Sequence, residues 1–368
     1  MSPPEHGENP VPLVPAARRD AGRRLFRSFN TWLIIANLAV FLLNNMVLRQ
    51  GHAVPHGLYE IGAPTAQQKA RAMIYRGITH PVPGEPGIFY HPIVDPYALV
   101  HDPAEGARPA GIGQERFAYM PVLQALGHFS TGRALLWRDD WGNSIGLEVW
   151  RFVTFQFLHY DATHLILNML GLIFVGGMVE ERLGPRRYGA FYLTCGIFGA
   201  LLYLLLNAVG WAIRDATGAE PSVPLLLFSD PFTPLIGASA GVFGVLMAAA
   251  KLNPRQIVDV FLIIPMRLRT AVLIFLALAL LNLFRGGPNA GGDAAHVGGA
   301  LAGAYFARRT HLLRDFFDVL SRSGPARGRV DHILGKARRR GLGSLTGAER
   351  RRLRDARRAL ADGPAGSP

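Results

Sequence analysis

The sequence predicts an all-α membrane protein, a bundle of six transmembrane helices with a basic tail at each end. Hydrophobic residues make up 49% of the 368 residues, yet the net charge is +13, and the two properties are segregated along the chain. Six apolar stretches lie between Trp32 and Arg309, whereas sixteen basic and only six acidic residues follow from Arg308 onward. This segregation is typical of membrane orientation and argues against nucleic-acid binding.

The apolar stretches are near the ~20 residues that cross a bilayer, and polar or Gly/Pro-rich connections separate them. In chain order the expected spans are Trp32–Leu48, Ala162–Val179, Tyr188–Ile213, the run Pro234–Ala250, Leu268–Phe284 and Asp293–Arg308. The piece Ile257–Pro265 is too short to cross and is bounded by prolines, so we expect it to be extended and interfacial.

Outside the spans, the chain divides into two tails and one insertion. Residues 1–30 are Pro-rich and then Arg-rich, without apolar periodicity, which predicts a disordered cytosolic tail. The membrane domain covers residues 31–310 and includes an insertion, about 49–147, that has no stretch long enough to span. Residues 311–368 form a basic cytosolic tail with a short helical module. The capping box Thr346–Glu349 predicts where its last helix starts, and we expect its basic surface to face anionic lipid.

Basic residues in the short loops predict the orientation. Six spans place both termini on one side. The loops on that side hold Arg182, Arg186, Arg187, Lys251, Arg255, Arg267 and Arg269. The opposite short loops hold only Arg214 and Arg285, so the termini are expected in the cytosol. Only three of the 39 basic residues are lysine, which is typical of a GC-rich bacterial genome and favours a bacterial cytoplasmic membrane.

Spans two, four and six then start at the same outer face, which brings their polar residues to one depth. Ser239 is the lone hydroxyl near the start of span four, and a lone serine among small residues is most often packing material. His296 near the start of span six is ionisable and therefore a functional candidate, although a histidine bonded to a backbone carbonyl is the alternative. It lies beside a small-residue stripe that allows close helix contact: Ala295, Gly299, Gly303 and Ala307.

Span two supplies hydrogen-bond donors. His164 and Asn168 are four residues apart and share one helix face. His159 lies off that face, so the three side chains form a poor metal cluster. The single cysteine, Cys195, excludes an intramolecular disulfide and a cysteine-based metal cage, and we expect no metal or cofactor. A nucleophile, an imidazole base and a pair of donors are what acyl transfer requires, with Ser239 as the nucleophile.

The motifs His159-x4-His164-x3-Asn168, Gly237-Ala-Ser239 and His296 with its small residues occur in order on separate predicted helices. In this combination they resemble the rhomboid family of intramembrane serine proteases. Trp150-Arg151 and the run Gly176–Gly184 resemble two further signatures. The resemblance covers Phe29 to about Arg309. It implies a six-helix core, a Ser/His dyad without a catalytic acid, and cleavage of other membrane proteins in or near their transmembrane segments.

The resemblance also implies roles for individual residues. Ser239 is the expected nucleophile and His296 the base. The oxyanion hole is expected from His164, Asn168 and the backbone N–H of Ser239. Phe243 is expected to pack on the imidazole, and the other supporting residues are His159, Trp150, Arg151 and Gly237. The family layout implies that span five and the loop Gly286–Gly292 form a lateral gate.

Two positions need separate comment. Ala240 stands where the family usually has glycine, which weakens the oxyanion assignment. Asp293, three residues before His296, allows a triad interpretation, but we expect it to be the N-cap of span six.

Other classes fit less well. An aspartyl intramembrane protease needs Gly-x-Gly-Asp and a zinc one His-Glu-x-x-His, and the sequence has neither. A transporter is disfavoured because no internal repeat or pair of broken helices is visible. A catalytically weak or inactive rhomboid-like protein that binds membrane clients stays open as the alternative. The expected partners are transmembrane protein substrates and the lipid bilayer, and the sequence leaves the oligomeric state open.

Overall fold

The computed structural model describes residues 28–48, 50–76, 79–83, 88–102, 106–139, 141–218, 223–260, 263–313, 333–338 and 341–361. The expected N-terminal tail up to residue 27 lies outside these residues. Part of the expected C-terminal module, residues 314–332, 339–340 and 362–368, lies outside them as well. The chain divides into two units, Met1–Thr310 and His311–Pro368.

Helices occupy the predicted apolar stretches of the first unit. They are α1 (Phe29–Leu42, continued by a π-helical turn Leu43–Val47), α2 (Ala162–Gly171), a π-helical turn Leu172–Gly176, α3 (Gly177–Leu183), α4 (Pro185–Thr217), α5 (Ser239–Leu252), α6 (Leu268–Phe284) and α7 (Ala290–Phe306). The helix of the fourth expected span, α5, therefore begins at Ser239 rather than at Pro234, and that of the sixth, α7, begins at Ala290 rather than at Asp293.

Within the described residues, three helical stretches are long and apolar enough to cross a membrane: Phe29–Val47, Ala162–Leu183 and Pro185–Thr217. The apolar helices α5 and α6 are shorter, with 14 and 17 residues. Large apolar side chains on the helical segments of this unit are exposed, among them Ile166, Ile173, Leu205, Leu278 and Leu301. An apolar surface of this extent needs lipid to cover it, so the chain is an integral membrane protein. The number of six spans stays a prediction.

The expectation of an all-α chain is wrong, because the insertion contains an antiparallel sheet of five strands. These are β1 (Gly51–Glu60), β2 (Met73–Ile74), β3 (His80–Pro81), β4 (Ile88–Asp102) and β5 (Gly106–Pro121). The order is β1-β5-β4-β2, and β3 also pairs with β4. The strands β1, β4 and β5 contain prolines, which lack the N–H that a ladder uses and are unusual inside a sheet. The register of β1 shifts between Pro55 and Gly57, next to one of these prolines.

Short elements complete the first unit. They are the helices Ala66–Ala70, Val122–Gly127, Thr131–Ala134 and Arg151–Thr154, the strand pair β6 (Leu136–Arg138) and β7 (Ser144–Gly146), and the strand pair β8 (Ile257–Val260) and β9 (Ile264–Arg267). The last pair confirms that the Ile257–Pro265 piece is extended.

Strand β1 attaches the sheet to the connection that leads into α5. The imidazole of His56 stacks on Phe232, with ring centroids 5.0 Å apart and an angle of 18°. Within the insertion itself, Arg133 Nη2 donates to the carbonyl of Pro55 at 2.7 Å, and the N–H of Leu58 donates to Asp139 at 3.0 Å. The insertion thus contacts the chain segment just before Ser239.

A carboxylate in the run Gly176–Gly184 holds the start of α1. Glu180 accepts hydrogen bonds from the Ser28 hydroxyl at 2.6 Å and from the N–H groups of Phe29 and Asn30 at 2.5 and 3.2 Å. These N–H groups have no partner inside their own helix, so the carboxylate satisfies donors that apolar surroundings would leave unpaired.

Small residues bring α4, α5 and α7 into backbone contact. A side chain on Gly299 would overlap with the carbonyl oxygen of Ala240, and one on Gly303 would overlap with the backbone of Gly244. A methyl group on Gly199 would lie 2.6 Å from both the Ala240 side chain and the carbonyl oxygen of Ala295. The small-residue stripe predicted on the sixth span, here α7, is therefore a contact surface, as expected for membrane helices.

In the second unit, helix α8 (Gly347–Ala361) begins at the predicted capping box. The N–H of Thr346 donates to Glu349 at 2.7 Å, and the N–H of Glu349 donates to the Thr346 hydroxyl at 3.3 Å. Both reciprocal bonds are present, so this start is confirmed. Lys336, in the helical residues 333–338, donates to the Glu349 carboxylate at 3.0 Å.

We expect Gly299→Ala to destabilise the membrane unit by about 1–3 kcal/mol, the usual cost of overpacking, because the new methyl group meets a backbone oxygen that cannot move alone. Thermal unfolding in detergent measures the effect. Gly177→Ala is the matched control, since a methyl group there meets no atom within 4 Å. Equal stability of the two variants would contradict the packing account.

We expect a pH-dependent attachment of the sheet through His56, whose side chain is 1% exposed. Burial, together with the nearby positive charge of Arg133, lowers the pKa of His56 from 6.5 to about 3. Between these values the unfolded chain binds a proton that the folded chain does not. Stability therefore falls as the pH drops below 6.5, by at most ~1.4 kcal/mol per pH unit.

His56→Phe keeps a ring stacked on Phe232 and removes this proton. Chemical unfolding monitored at pH 7.5 and pH 5.0 should show a smaller loss of stability in the variant than in the wild type. His52→Phe, at an exposed position of the same strand, is the control and should keep the wild-type dependence. The same loss in all three proteins would refute the role of His56.

Candidate active site

Ser239 and His296 lie within hydrogen-bond distance across the contact between α5 and α7. Nε2 of His296 is 2.8 Å from Oγ of Ser239. Ser239 is the first residue of α5. It follows Gly237, whose φ of +134° is a backbone conformation that favours glycine. This sharp entry into the helix sets the serine at the helix start, where N–H groups lack partners within the helix.

An aromatic ring fixes the plane of the imidazole. Phe243, one turn after Ser239 on α5, stacks on His296 with ring centroids 4.3 Å apart and an angle of 3°. This is the contact that the resemblance implied. Because α5 carries both Ser239 and Phe243, a single helix contacts His296 through its ring face and through a ring nitrogen.

His164 and Asn168 approach Ser239 from α2. The side chain of Asp161 accepts the N–H of His164 at 2.8 Å and so caps the start of this helix. A Cβ on Gly237 would lie 2.8 Å from Nε2 of His164 and 3.5 Å from Oγ of Ser239. The imidazole and the hydroxyl therefore border the same space above Gly237. Asn168 uses one N–H on the carbonyl of His164, at 2.9 Å, which leaves its amide a second N–H.

His159 lies behind this group rather than in it. Its side chain is 1% exposed, and its ring meets that of His164 edge to face at 5.1 Å. The N–H of Ala238 lies 3.5 Å from Nε2 of His159. His159 thus contacts both the residue before Ser239 and one of the expected oxyanion donors. Among the residues that the structure describes, no group of three His, Cys, Asp or Glu is placed to hold a metal ion.

Trp150 and Arg151 organise the chain ahead of α2. Arg151 donates to the carbonyls of His128 and Ala125 at 2.7 and 2.9 Å and to the carboxylate of Glu148 at 2.6 Å. Burial lowers the pKa of Arg151, and the Glu148 hydrogen bond acts in the opposite direction. The indole N–H of Trp150 donates to Leu126 at 3.1 Å. Trp150 and Arg151 thus bind backbone carbonyls that have no partner at the end of helix Val122–Gly127, which is a structural role and not a contact with Ser239.

A cavity of about 1330 Å³ contains the Ser239 and His296 side chains in its wall. It extends from the loop Gly286–Gly292 to strand β8, and on α5 it is lined by residues between Ser239 and Leu246. Eight helical residues rise ~12 Å, so the lined part of α5 covers a substantial fraction of the ~30 Å bilayer core. Its two apolar sides come from the span that contains α2 and from α6: Leu167, Phe174, Ala271, Val272 and Phe275.

The expected N-cap role of Asp293 is wrong. The N-cap of α7 is Asn289, and Asp293 lies within the first turn. Its Oδ1 is 3.3 Å from Nδ1 of His296, and its Oδ2 accepts a hydrogen bond from Nδ2 of Asn282 on α6 at 2.5 Å. Sequence reasoning did not assign a role to Asn282. The available signal was a lone amide in an otherwise apolar helix end.

The chain matches one family model and is similar to several known proteins. A model of the rhomboid domain matches residues 146–312. The chain is similar to rhomboid protease GlpG of Serratia proteamaculans, 26% identical over 202 residues, 55% of this chain and 59% of GlpG. It is also similar to the mitochondrial RHOMBOID-like protein 12 of Arabidopsis thaliana, 28% identical over 153 residues, 41% of this chain and 44% of that protein.

A third relative carries a different description. The Inactive RHOMBOID-like protein 8 of Arabidopsis thaliana is 41% identical over 58 residues, which is 16% of either chain. The chain therefore spans less than two thirds of the length of each of these relatives. These relatives thus include one that is described as a protease and one that is described as inactive.

Proposed function

Because this chain belongs to the rhomboid family through residues 146–312, we propose that it is an intramembrane serine endopeptidase that cleaves transmembrane segments of other membrane proteins. The observation that best supports the proposal is the 2.8 Å contact between Nε2 of His296 and Oγ of Ser239. A serine hydroxyl is a weak nucleophile until a base in hydrogen-bond reach takes its proton. This pair lies in the wall of a cavity bounded by apolar helices.

In the proposed reaction, the Ser239 oxygen attacks the scissile carbonyl while its proton moves to Nε2 of His296. The same proton then passes to the leaving amine, so that the substrate chain is cut and an acyl-enzyme forms. Water repeats the sequence and releases the second product. The stacked Phe243 ring keeps Nε2 directed at the hydroxyl throughout.

The negative charge on the substrate oxygen needs donors in the space above Gly237. We assign these to the backbone N–H of Ser239, the ring of His164 and the second N–H of Asn168. The start of α5 adds the positive end of its helix dipole. A Cβ on Gly237 would lie 2.8 Å from Nε2 of His164 and 3.5 Å from Oγ of Ser239, so both groups border the space that we assign to the substrate oxygen.

A transmembrane substrate has to enter from the side, because its helix lies in the bilayer. The cavity lies between α6 and the span that contains α2, with Phe275 on the first side and Phe174 on the second, and this position supports such an entry. The loop Gly286–Gly292 lines the end of the cavity nearest Ser239 and is suited to act as a cap. Polar groups at this end, Asp161 and Asn289 among them, supply a route for water without exposing backbone to lipid.

We place both termini in the cytosol of a bacterium, with the enzyme in the cytoplasmic membrane, because the basic loops lie on the side of the termini. The insertion and its sheet then lie outside the cytosol, near the end of the cavity that holds Ser239. The substrates in this proposal are transmembrane proteins, and the bilayer is the second partner.

A second candidate is a rhomboid-like protein that binds membrane clients without cutting them. The similarity to the Inactive RHOMBOID-like protein 8, which extends over 58 residues, favours this candidate. The presence of both Ser239 and His296, in contact, favours the protease. The two candidates differ in whether the serine reacts.

We expect Ser239→Ala and His296→Ala each to abolish cleavage of a model transmembrane substrate and labelling by a fluorophosphonate probe, because the two residues act as a unit and losses reach ~10⁶-fold. Ser144→Ala, at an exposed position of β7, is the control and should label like the wild type. Turnover by either dyad variant, or a wild type that neither labels nor cleaves, would refute the proposed activity.

We expect Asn168→Ala to reduce the rate by ~10²–10³-fold while leaving the protein folded, since removal of one oxyanion donor typically costs that much. His164→Ala should behave similarly. Initial rates with the same model substrate measure both effects. An Asn168→Ala variant as fast as the wild type would make Asn168 a packing residue bonded to its own helix.

A further inference from the structure

We propose that Asp293 positions the imidazole of His296 for proton transfer, and that Asn282 of α6 holds the Asp293 carboxylate in place. The inference rests on the proposed protease function and adds a positioning residue to the Ser/His pair. It makes the orientation of the base depend on α6, a helix that lines the cavity and is separate from the two that carry the pair.

The geometry places the imidazole between two partners. Nε2 of His296 faces Oγ of Ser239 at 2.8 Å, and Nδ1 faces Oδ1 of Asp293 at 3.3 Å. Residues three apart lie on the same face of a helix, so the start of α7 itself brings the carboxylate to the ring. Asp293 is 8% exposed, and it points its charge toward the ring rather than toward open solvent.

The chemistry of the base gives this contact a purpose. Ser239 can transfer its proton only if Nε2 is free to accept it, which requires the ring proton to be on Nδ1. A carboxylate next to Nδ1 favours this tautomer, because it attracts an N–H and repels a lone pair. When the proton reaches Nε2, the same carboxylate stabilises the imidazolium without accepting a proton itself.

A buried carboxylate needs donors of its own, and Asn282 supplies one. Nδ2 of Asn282 donates to Oδ2 of Asp293 at 2.5 Å, which leaves Oδ1 on the imidazole side. The backbone of Asn282 accepts the N–H of Gly287 at 3.0 Å. A side chain at Gly287 would overlap with the Asn282 amide, so the loop fits closely around it. An amide near the end of an apolar membrane helix is costly unless bonded, and this bond offsets the cost.

Because α6 is one side of the cavity, its position bears on the base. Ala271, Val272 and Phe275 of the same helix line the cavity. A displacement of its Asn282 end would break the Asn282–Asp293 bond and release the carboxylate from its present orientation.

The test uses the full-length protein in lipid vesicles with a model transmembrane substrate. Each variant is first titrated to completion with the fluorophosphonate, and kcat is expressed per labelled serine. Asp293→Asn should lower this kcat by about 10–100-fold with KM within about twofold of the wild type, as expected for loss of an interaction with a charged group that does not touch substrate. Asp293→Glu should recover part of the loss. Asp215→Asn, an exposed acid-to-amide change on α4, should have no effect.

Asn282→Ala should lower kcat by about 3–10-fold, less than the loss of the carboxylate itself, because Asn282 acts only on the orientation of Asp293. In an Asp293→Asn background it should have no further effect, because Asn282 acts only through the carboxylate. Thr270→Ala, at the exposed opposite end of α6, is the control.

Two results would overturn the inference while the protease function stands: a normal kcat per labelled serine in Asp293→Asn, or independent losses in the double variant. A structural role alone would reduce the labelled fraction and leave kcat per labelled serine unchanged, which is the first of these. A wild type that neither labels nor cleaves would refute the proposed function, and the inference with it.

Discussion

The backbone contact between α5 and α7 is the constraint on which the rest of the site depends. Helices that carry ordinary side chains at their contact keep their axes 8–10 Å apart. Here Gly299 meets the carbonyl of Ala240, and Gly303 meets the backbone of Gly244. Because the two helices are so close, the short side chain of Ser239 and the imidazole of His296 lie 2.8 Å apart. A displacement of 1 Å between reacting groups can cost ~10² in rate, so the glycines matter to chemistry as much as to stability.

Several charged side chains of the membrane unit lie where they satisfy backbone groups at helix ends. Glu180 satisfies the first N–H groups of α1, Asp161 caps α2, and Arg151 binds the carbonyls that end helix Val122–Gly127. Helix ends are where backbone groups lack partners, and in apolar surroundings each unsatisfied group is costly. The same placement leaves polar side chains gathered around the end of the cavity that holds Ser239. A stability requirement and a site that needs water therefore coincide there.

The insertion is in direct contact with the chain segment that leads into α5. Its first strand stacks His56 on Phe232, and Phe232 precedes the segment that lines the cavity from Thr233 to Gly237. Leu235 in that segment pairs by two backbone hydrogen bonds with Phe129, at 2.7 and 3.0 Å. The entry into α5 is thus held from both sides, by the sheet and by the short helices ahead of α2. In such an arrangement, the orientation of Ser239 depends on residues far from it in sequence.

The sequence by itself determined features that rest on local patterns. The apolar stretches predicted the positions of the helices, and the spacing of His164 and Asn168 placed both on one face of α2. Ser239 and His296 were paired from the small-residue stripe and a common depth. The capping box at Thr346 was confirmed. These features follow from helix periodicity and from bonds between residues a few positions apart, which a sequence displays directly.

Only the tertiary structure decided what depends on distant neighbours. The sheet could not be read from the sequence, because its strands contain prolines, which are unusual inside a sheet, and because β1 pairs with β5, some sixty residues further along the chain. Asp293 was expected to cap a helix that in fact starts at Ala290, so its carboxylate is free to face His296. The partner of that carboxylate, Asn282, belongs to another helix, and no local pattern reports a contact between two helices. Such contacts are set by how the helices pack, since packing fixes distances that neither periodicity nor composition encodes.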